Sequence, residues 1–279
     1  MAKFDIYEAV TERIIAEMEK GIIPWHKPWF GTQDGAWSRT TGKPYSFINQ
    51  MLLGKAGEYL TFKQIVAEGG KLKKGSKAKM VVFYKPYPVK EKKEDGTIEE
   101  KTIPLLKYYN VFHIDDTEGI KPSKIEKKGS NNNPIEEAEK LVKNYKANND
   151  GLRITNQKGD KACYRPLTDE IIVPEFEQFE NEGEYYSTLF HEMTHSTGAK
   201  SRCDRDLKGR FGTEDYSKEE LIAEMGAASL MNILEIETER TFKNSTAYLQ
   251  NWLQVLKNDK RFIVSAAGKA EKAVEYILK

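Results

Sequence analysis

The sequence predicts an α+β protein of two domains, on three observations. The first half contains two runs rich in aromatic and β-branched residues, 80–85 and 105–114, which favour β-strands. In the second half, apolar residues recur with helical spacing, most clearly at about 182–197 and 218–234. The chain has 279 residues, enough for two domains with sizeable cores. We therefore expect a small mixed α/β domain, followed by a domain in which helices surround a small sheet.

A polar segment of low complexity separates the two predicted domains. Residues 121–134 are polar apart from Ile125 and the prolines at either end. This composition is typical of a linker between folded units. The sequence thus predicts one domain over 1–120, a linker over 121–134 and a second domain over 135–279.

The net charge of +1 conceals a difference between the halves. Residues 1–130 carry 23 Lys and Arg against 17 Asp and Glu, whereas residues 131–279 carry 21 against 26. A basic half joined to a mildly acidic half suggests that the first half has a polyanionic partner.

The sequence gives no indication of a membrane protein or a secreted one. No apolar run approaches the length of a membrane span, and residues 1–5 do not resemble a signal peptide. Two cysteines, Cys163 and Cys203, do not form a disulfide framework. A cytoplasmic protein is the simplest expectation.

In the first half, the apolar spacing predicts an amphipathic helix over 4–20. A helical segment is expected over 46–68, broken near Gly54 and Gly57. The two predicted strands follow, joined by a charged segment with an Asp-Gly hairpin signal at 95–96.

The second half is predicted to alternate a few short strands with longer helices. The expected elements are a helix at about 135–147, strands at 152–155, 162–165 and 170–173, helices at about 182–197 and 218–234, and final helices at 245–258 and 263–279.

The predicted helix at about 182–197 contains the pentapeptide His-Glu-Met-Thr-His at 191–195. Residues four apart share a helix face, so the imidazoles of His191 and His195 point the same way. Two such imidazoles can hold one Zn²⁺, and Glu192 then stands beside the open coordination position. A metal-bound water has a lowered pKa, and Glu192 can take its proton as a general base. The alternative is a helix that carries two surface histidines.

A third metal ligand must come from another part of the chain. No histidine follows His195, so we expect an oxygen ligand. The candidates are Glu220 and Glu224 in the predicted helix at 218–234, and Asp204 or Asp206 before it.

The spacing of the two glutamates resembles the E-x-x-x-D pattern of glutamate-ligand zincins. In those proteins the first acid binds the metal and the second supports a ligand histidine. The resemblance implies that Glu220 is the third ligand and that Glu224 orients a histidine. A competing explanation is that the Ser-x-x-Glu at 217–220 is a helix capping box.

Aromatic residues alternate with cations in the first half, a mixture that suits single-stranded nucleic acid. Bases stack on aromatic rings while cations hold phosphates. The alternative is that the aromatic residues pack a small core. The candidate stacking residues are Trp25, Trp29, Tyr45, Tyr108 and Tyr109. The candidate phosphate contacts are Arg39, Lys43, Lys74, Lys77 and Lys107.

Several motifs together resemble one protein family. They include Ile23-Pro24-Trp25-x-Lys27-Pro28-Trp29, Leu106-Lys107-Tyr108-Tyr109-x-Val111-Phe112, His191-Glu192-x-x-His195-x-Thr197-Gly198 and Glu219-Glu220-Leu221-Ile222-Ala223-Glu224-Met225-Gly226-Ala227. With these motifs the chain resembles the ArdC-type antirestriction proteins of plasmids and other mobile elements, over nearly all of its length. The resemblance implies an N-terminal domain that binds single-stranded DNA, a C-terminal zincin-like metallopeptidase domain, and a role in protecting incoming DNA from host restriction.

Two classes of function are open at this point. One is a DNA-binding zinc peptidase that cleaves an unknown protein near DNA. The other is a non-catalytic DNA-binding shield whose metal is structural. Glu192 favours the peptidase, because a structural site has no use for a general base. A nuclease is less favoured, because nucleases usually employ several carboxylates and Mg²⁺.

Overall fold

The computed structural model describes residues 4–27, 30–32, 35–92, 98–123, 133–207, 214–236 and 241–279. It confirms the α+β fold class. The helices are α1 (Ile6–Met18), α2 (Phe47–Leu53), α3 (Phe62–Ala67), α4 (Pro134–Ala147), α5 (Glu182–Ser196), α6 (Glu214–Ile233), α7 (Thr241–Asn258) and α8 (Phe262–Ile277). The strands are β1 (Ala36–Ser38), β2 (Gly57–Leu60), β3 (Lys71–Leu72), β4 (Lys79–Lys92), β5 (Ile98–His113), β6 (Thr117–Glu118), β7 (Arg153–Gln157), β8 (Cys163–Arg165) and β9 (Glu170–Pro174).

The largest sheet lies in the first half and has the strand order β1-β2-β5-β4. Strand β1 runs parallel to β2, whereas β2 with β5 and β5 with β4 are antiparallel. The two predicted strands are present, but β4 continues past residue 85 and β5 starts before residue 105, so that they form one long antiparallel pair. Its register runs from Lys79 opposite Val111 to Lys92 opposite Ile98. The predicted turn at 95–96 lies outside the described residues.

Prolines occur in this long pair where they interrupt no hydrogen bond between the strands. The Asn49 amide donates to the Val82 carbonyl (2.8 Å) and accepts from the Val82 N–H (2.7 Å), so this backbone points away from β5. The backbone N–H and C=O groups of successive residues point to alternate sides of a strand. The backbone nitrogen of Pro86, four residues after Val82, therefore also points away from β5, and that of Pro104, directly opposite, points away from β4. The N–H group that proline lacks would not have bonded to the neighbouring strand at these positions, so no hydrogen bond between β4 and β5 is lost. Proline on the edge strand β4 also discourages pairing with another chain.

The segment 46–68 differs from the expected broken helix. It forms α2, then β2, then α3, so a strand occupies the expected break. Helix α2 ends at Gly54, whose φ of 66° is left-handed. Helix α3 starts with a capping box between Thr61 and Gln64. Strand β2 is too short for periodicity to reveal it, and pairing with β1 and β5 is what makes it a strand.

The second half contains a three-stranded sheet with the order β7-β9-β8 and the helices α4 to α8. Strand β7 is parallel to the central β9, and β8 pairs with β9 in the antiparallel sense, which leaves β8 at an edge. All the elements predicted for this half are present, with ends that differ by a few residues.

One apolar cluster contains residues from both halves of the chain. Helix α1 packs on α7, and α2 packs on α8. Trp25, fully buried, meets Trp252 of α7 with ring centroids 5.6 Å apart. This position corrects the expectation that Trp25 stacks on bases, because a base cannot reach a buried ring.

Most of the expected linker, 124–132, lies outside the described residues, as does Trp29. Among the helices that are described, none combines the length and the apolar composition needed to cross a membrane.

Candidate metal centre and nucleic-acid surface

Helix α5 presents the two histidines of the pentapeptide on one face. Asn181 caps the helix by accepting a hydrogen bond from the Glu184 N–H (2.9 Å). The Nε2 atoms of His191 and His195 lie 3.1 Å apart. The expected side-by-side arrangement of the imidazoles is therefore present.

Glu220 of α6 completes a group of three potential ligands. Its Oε1 lies 3.2 Å from His195 Nε2, and its Oε2 lies 3.5 Å from His191 Nε2. Metal–nitrogen and metal–oxygen bonds of about 2.0–2.1 Å in a tetrahedral zinc site place ligand atoms about 3.3 Å apart. Among the described residues these three form the group of His, Cys, Asp or Glu side chains suited to a metal ion. The donor set fits Zn²⁺ or another divalent transition metal.

A close helix crossing brings Glu220 to the histidines. At Gly226 of α6, an added Cβ would lie 2.5 Å from Thr194 Oγ1 of α5, closer than atoms can approach. Glycine therefore allows α6 to lie against α5 near the histidines. The Thr194 hydroxyl donates to the Phe190 carbonyl (2.8 Å) within its own helix, which satisfies this buried polar group.

Glu219, rather than Glu224, contacts one of the two candidate ligand histidines in this structure. Its Oε1 lies 3.3 Å from His195 Nδ1. Arg205, almost fully buried, donates to Glu219 Oε1 (2.7 Å) and also to the Thr194 carbonyl (2.7 Å). Such contacts fix the orientation of a ligand imidazole. The sequence reasoning missed both residues; the acid next to Glu220 was the one available signal.

Glu224 instead makes a contact between the two halves of the chain. Its Oε1 lies 3.0 Å from Nε2 of His26, which follows the buried Trp25. Glu224 also lines the cleft above the histidines, one helical turn from Glu220. The wall of the metal cleft is therefore attached to the N-terminal segment.

The side chains of the three potential ligands open into a cleft of about 610 Å³. Glu192 lines it and is 7% exposed. Tyr216 lines it as well. The edge strand β8 contributes Cys163 and Tyr164 to the rim.

The charges of the ligand group are tightly coupled. Burial opposes the charged form of His195, but hydrogen bonds with Glu219 and Glu220 outweigh burial and raise its pKa well above the usual range. Burial likewise opposes the charged form of Glu220, but its contacts with both histidines hold its pKa far below the usual range. Because the imidazoles must be neutral to bind a metal, binding releases protons and weakens in acid.

A second surface of interest lies on the long β4–β5 pair. Cross-strand neighbours and alternate residues share a face of a sheet. Between residues 83 and 87 of β4 and residues 103 and 109 of β5, one face groups six exposed side chains, which we call the hairpin face: Phe83, Lys85, Tyr87, Ile103, Lys107 and Tyr109. The rings of Phe83 and Tyr109 meet edge to face, with centroids 5.7 Å apart. Sequence reasoning found Lys107 and Tyr109 but missed Phe83, Lys85 and Tyr87, which only the register places beside them.

Tyr108 and Tyr109 were predicted to act together, but the structure separates them. Successive residues of a strand point to opposite faces. Tyr108 therefore lies on the other side, where its ring packs against Phe4 with a centroid distance of 5.3 Å. Only Tyr109 belongs to the hairpin face.

The remaining predicted DNA contacts differ in their surroundings. Arg39 donates to Glu58 (2.5 Å) and Glu68 (2.6 Å), so carboxylates already neutralise its charge. Lys43, Lys74 and Lys77 are exposed. Tyr45 is half-buried; burial, followed by its contact with Tyr109, raises its pKa above the usual range.

Comparisons with known proteins match both halves of the chain. Residues 4–112 match the family described as the N-terminal domain of anti-restriction factor ArdC, and residues 136–269 match the zincin-like metallopeptidase family. Crystal structures of the antirestriction ArdC protein from plasmid R388, Mn(II)-bound and metal-free, share 33% identity with this chain. They superpose with TM-scores of 0.76 and 0.73, over 98% of this chain and 97% of theirs.

Two curated relatives are similar to nearly the whole of this chain, but the matched region makes up very different shares of their own lengths. DNA primase TraC of Escherichia coli is 34% identical over 99% of this chain, which spans only 20% of that protein. The uncharacterized protein y4eC of Sinorhizobium fredii (strain NBRC 101917 / NGR234) is 31% identical, with 98% of this chain and 91% of that protein covered.

Proposed function

Because the chain belongs to the ArdC antirestriction family, we propose that it binds single-stranded DNA with its first half and hydrolyses peptide bonds at a Zn²⁺ site in its second half. The observation that carries the peptidase proposal is the three ligand atoms of His191, His195 and Glu220 beside Glu192 in an open cleft. The proposed role of the protein is to protect the incoming DNA of a mobile element, or to cleave a protein associated with that DNA. Such a role requires a cytoplasmic location.

The residues of the cleft have distinct tasks in peptide hydrolysis. Zn²⁺, when bound, supplies Lewis acidity that activates water and polarises the peptide carbonyl. Glu192 accepts the proton of the attacking water and delivers it to the leaving amine. Glu219 and Arg205 hold the His195 imidazole in the orientation that binding needs. Tyr216 is the candidate donor to the developing oxyanion.

The edge strand β8 offers a place for the substrate backbone. It borders the cleft and pairs with β9 on one side only within the three-stranded sheet. An extended peptide can add to such an edge through main-chain hydrogen bonds, while its side chains reach the cleft.

The hairpin face is our candidate surface for single-stranded DNA. Its exposed rings offer stacking platforms, and Lys85 and Lys107 lie between them at positions suited to phosphates. Stacking requires open base faces, which a duplex hides, so we expect single strands to bind better than duplex. The contribution of phosphates means that affinity falls steeply with added salt.

We predict that Glu192→Gln retains the metal and the fold but loses peptide hydrolysis, because an amide cannot accept the proton of water. The assay is cleavage of candidate DNA-associated proteins by the full chain with Zn²⁺, with and without single-stranded DNA. Elemental analysis and the melting temperature of the variant provide the control.

The same experiment tests the second candidate, a non-catalytic DNA-binding shield with a structural metal. That candidate predicts DNA binding without cleavage in both forms of the protein. Equal cleavage by the natural chain and Glu192→Gln would instead rule out the proposed mechanism.

A further inference from the structure

A separate pocket of about 380 Å³ lies along the outer edge of β4, between the two halves of the chain. The first half contributes Lys43, Tyr45, Phe83 and Tyr109, and helix α8 contributes Gly268 and Glu271. The volume is within the range of roughly 300–1,000 Å³ typical of small-molecule sites. Since Phe83 and Tyr109 also belong to the hairpin face, the pocket continues the candidate DNA surface.

Gly268 keeps one wall of this pocket open. It lies inside α8, where glycine destabilises a helix relative to alanine. A Cβ built at this position meets no atom within 4 Å, so no packing constraint requires the glycine. The space in front of it belongs to the pocket.

Glu271 places a carboxyl group in the same pocket. It follows Gly268 by three residues and so lies on the same side of α8. Burial and the nearby Glu275 raise its pKa to about 7, and the backbone N–H of Phe47 donates a hydrogen bond to it. A half-buried carboxylate beside aromatic walls is suited to a flat ligand that carries hydrogen-bond donors on its edge.

We propose that this pocket binds one nucleobase of single-stranded DNA and prefers guanine. This inference rests on the proposed DNA binding. The base stacks on the face of one of the two rings, Phe83 or Tyr109, and contacts the other at its edge, while Lys43 contacts an adjacent phosphate. Glu271 accepts from the guanine N1–H and the 2-amino group, two adjacent donors that match the two carboxylate oxygens.

The other bases fit this arrangement less well. Thymine presents one N–H between two carbonyl oxygens, which would face the carboxylate and be repelled by it. Adenine and cytosine each present a single amino group beside a ring nitrogen acceptor. The pocket thus adds a base preference to a surface that otherwise tolerates any sequence, contrary to the usual behaviour of stacking platforms.

The test is carried out at pH 8, where Glu271 is ionised, with the full chain, Zn²⁺ and short oligothymidines that carry one central deoxyguanosine, deoxyinosine, deoxyadenosine or thymidine. Fluorescence anisotropy should show about fivefold tighter binding of the deoxyguanosine oligonucleotide than of oligothymidine. Deoxyinosine lacks the 2-amino group and should fall between them.

Two variants identify the pocket as the origin of the preference. Gly268→Trp fills the pocket, and Glu271→Gln replaces the double acceptor. Both should lose the preference for deoxyguanosine and bind that oligonucleotide about as weakly as the natural chain binds oligothymidine. Gly268→Ala is the matched control: it stabilises α8, leaves room for a base and should keep the preference. If the melting temperature of Gly268→Trp is much lower than that of the natural chain, the binding measured with Glu271→Gln tests the proposal instead.

The outcomes separate this inference from the function on which it rests. Binding of oligothymidine with no preference for deoxyguanosine, or a preference that survives in both variants, would overturn the base pocket alone. Failure of the natural chain to bind any single strand would overturn both.

Discussion

The metal cleft and the hairpin face are built in opposite ways. In the cleft, the side chains of His195, Glu219 and Arg205 are at least 87% buried and hold one another through hydrogen bonds of 2.7–3.3 Å. On the hairpin face, Phe83 is 43% exposed and Tyr87 is 51% exposed. The first arrangement fixes atoms to within a fraction of an ångström, whereas the second presents surface.

This difference matches the demands of the two proposed tasks. Metal binding and proton transfer require fixed distances, which buried networks provide. Stacking on a flexible polymer requires accessible rings and tolerates variation in position. A single substitution in the cleft should therefore reduce metal binding strongly. A single substitution on the hairpin face should reduce DNA affinity only in part.

The sharpest test within the cleft compares two acids one turn apart on α6. We expect Glu220→Ala to lose most of the bound Zn²⁺, because a ligand oxygen is removed. Glu224→Ala is the matched control, since Glu224 contacts His26 and should keep about one metal per chain. Elemental analysis of both proteins measures the effect. The opposite pattern would mean that the roles of the two acids are reversed.

The buried support of His195 can be tested at Arg205. Arg205→Ala should weaken Zn²⁺ affinity by about 10–100-fold, because Glu219 loses the charge that positions it. The measurement is competition with a chelator of known affinity. Arg202→Ala is a suitable control: this nearby arginine is also buried and pairs with Asp169, so its loss should lower stability but not metal affinity. Equal metal affinity in both variants would contradict the assigned role of Arg205.

Two adjacent tyrosines test whether one face of the hairpin binds DNA. Tyr109→Ala should cost about 1–3 kcal/mol of binding to single-stranded DNA, because a stacking platform is lost. Tyr108→Ala changes the same side chain on the opposite face and should leave binding nearly unchanged. By contrast, Trp25→Ala should cost about 3–5 kcal/mol of stability, as expected of a core residue. Binding titrations and melting temperatures of the three proteins separate these effects. Similar losses of binding at both tyrosines would defeat the assignment of the face.

The smallest expected effect concerns Glu271 and pH. Because its pKa in the folded protein, about 7, lies above the ordinary value near 4.5, the folded state binds this proton more tightly than the unfolded state does. The stabilisation by this proton is complete below about pH 4.5 and is lost as pH rises through 7. Glu271→Gln stays neutral, so its melting temperature relative to the natural chain should be higher at pH 8 than at pH 4. Glu275→Gln should show the same trend more weakly, and a difference that is independent of pH would contradict the assignment.

Elements with strong local signals can be predicted from the amino-acid sequence alone. The spacing of His191 and His195 fixed two potential ligands, because a helix places residues four apart on one face. The aromatic and β-branched runs determined β4 and β5, and the motifs along the chain identified the family that the comparisons confirm. In each case the information lies within a few neighbouring residues.

Which distant residues meet depends on how whole elements pack, and local sequence patterns do not show it. The bond from Glu219 to His195 depends on how α6 crosses α5 at Gly226, and the partner of Glu224 comes from a segment 198 positions away in the chain. Trp25 and Tyr109 look alike in sequence, as aromatic residues near lysines, yet one is fully buried and the other is 38% exposed. Burial and cross-strand register arise from the packing of whole elements, and no local pattern encodes them.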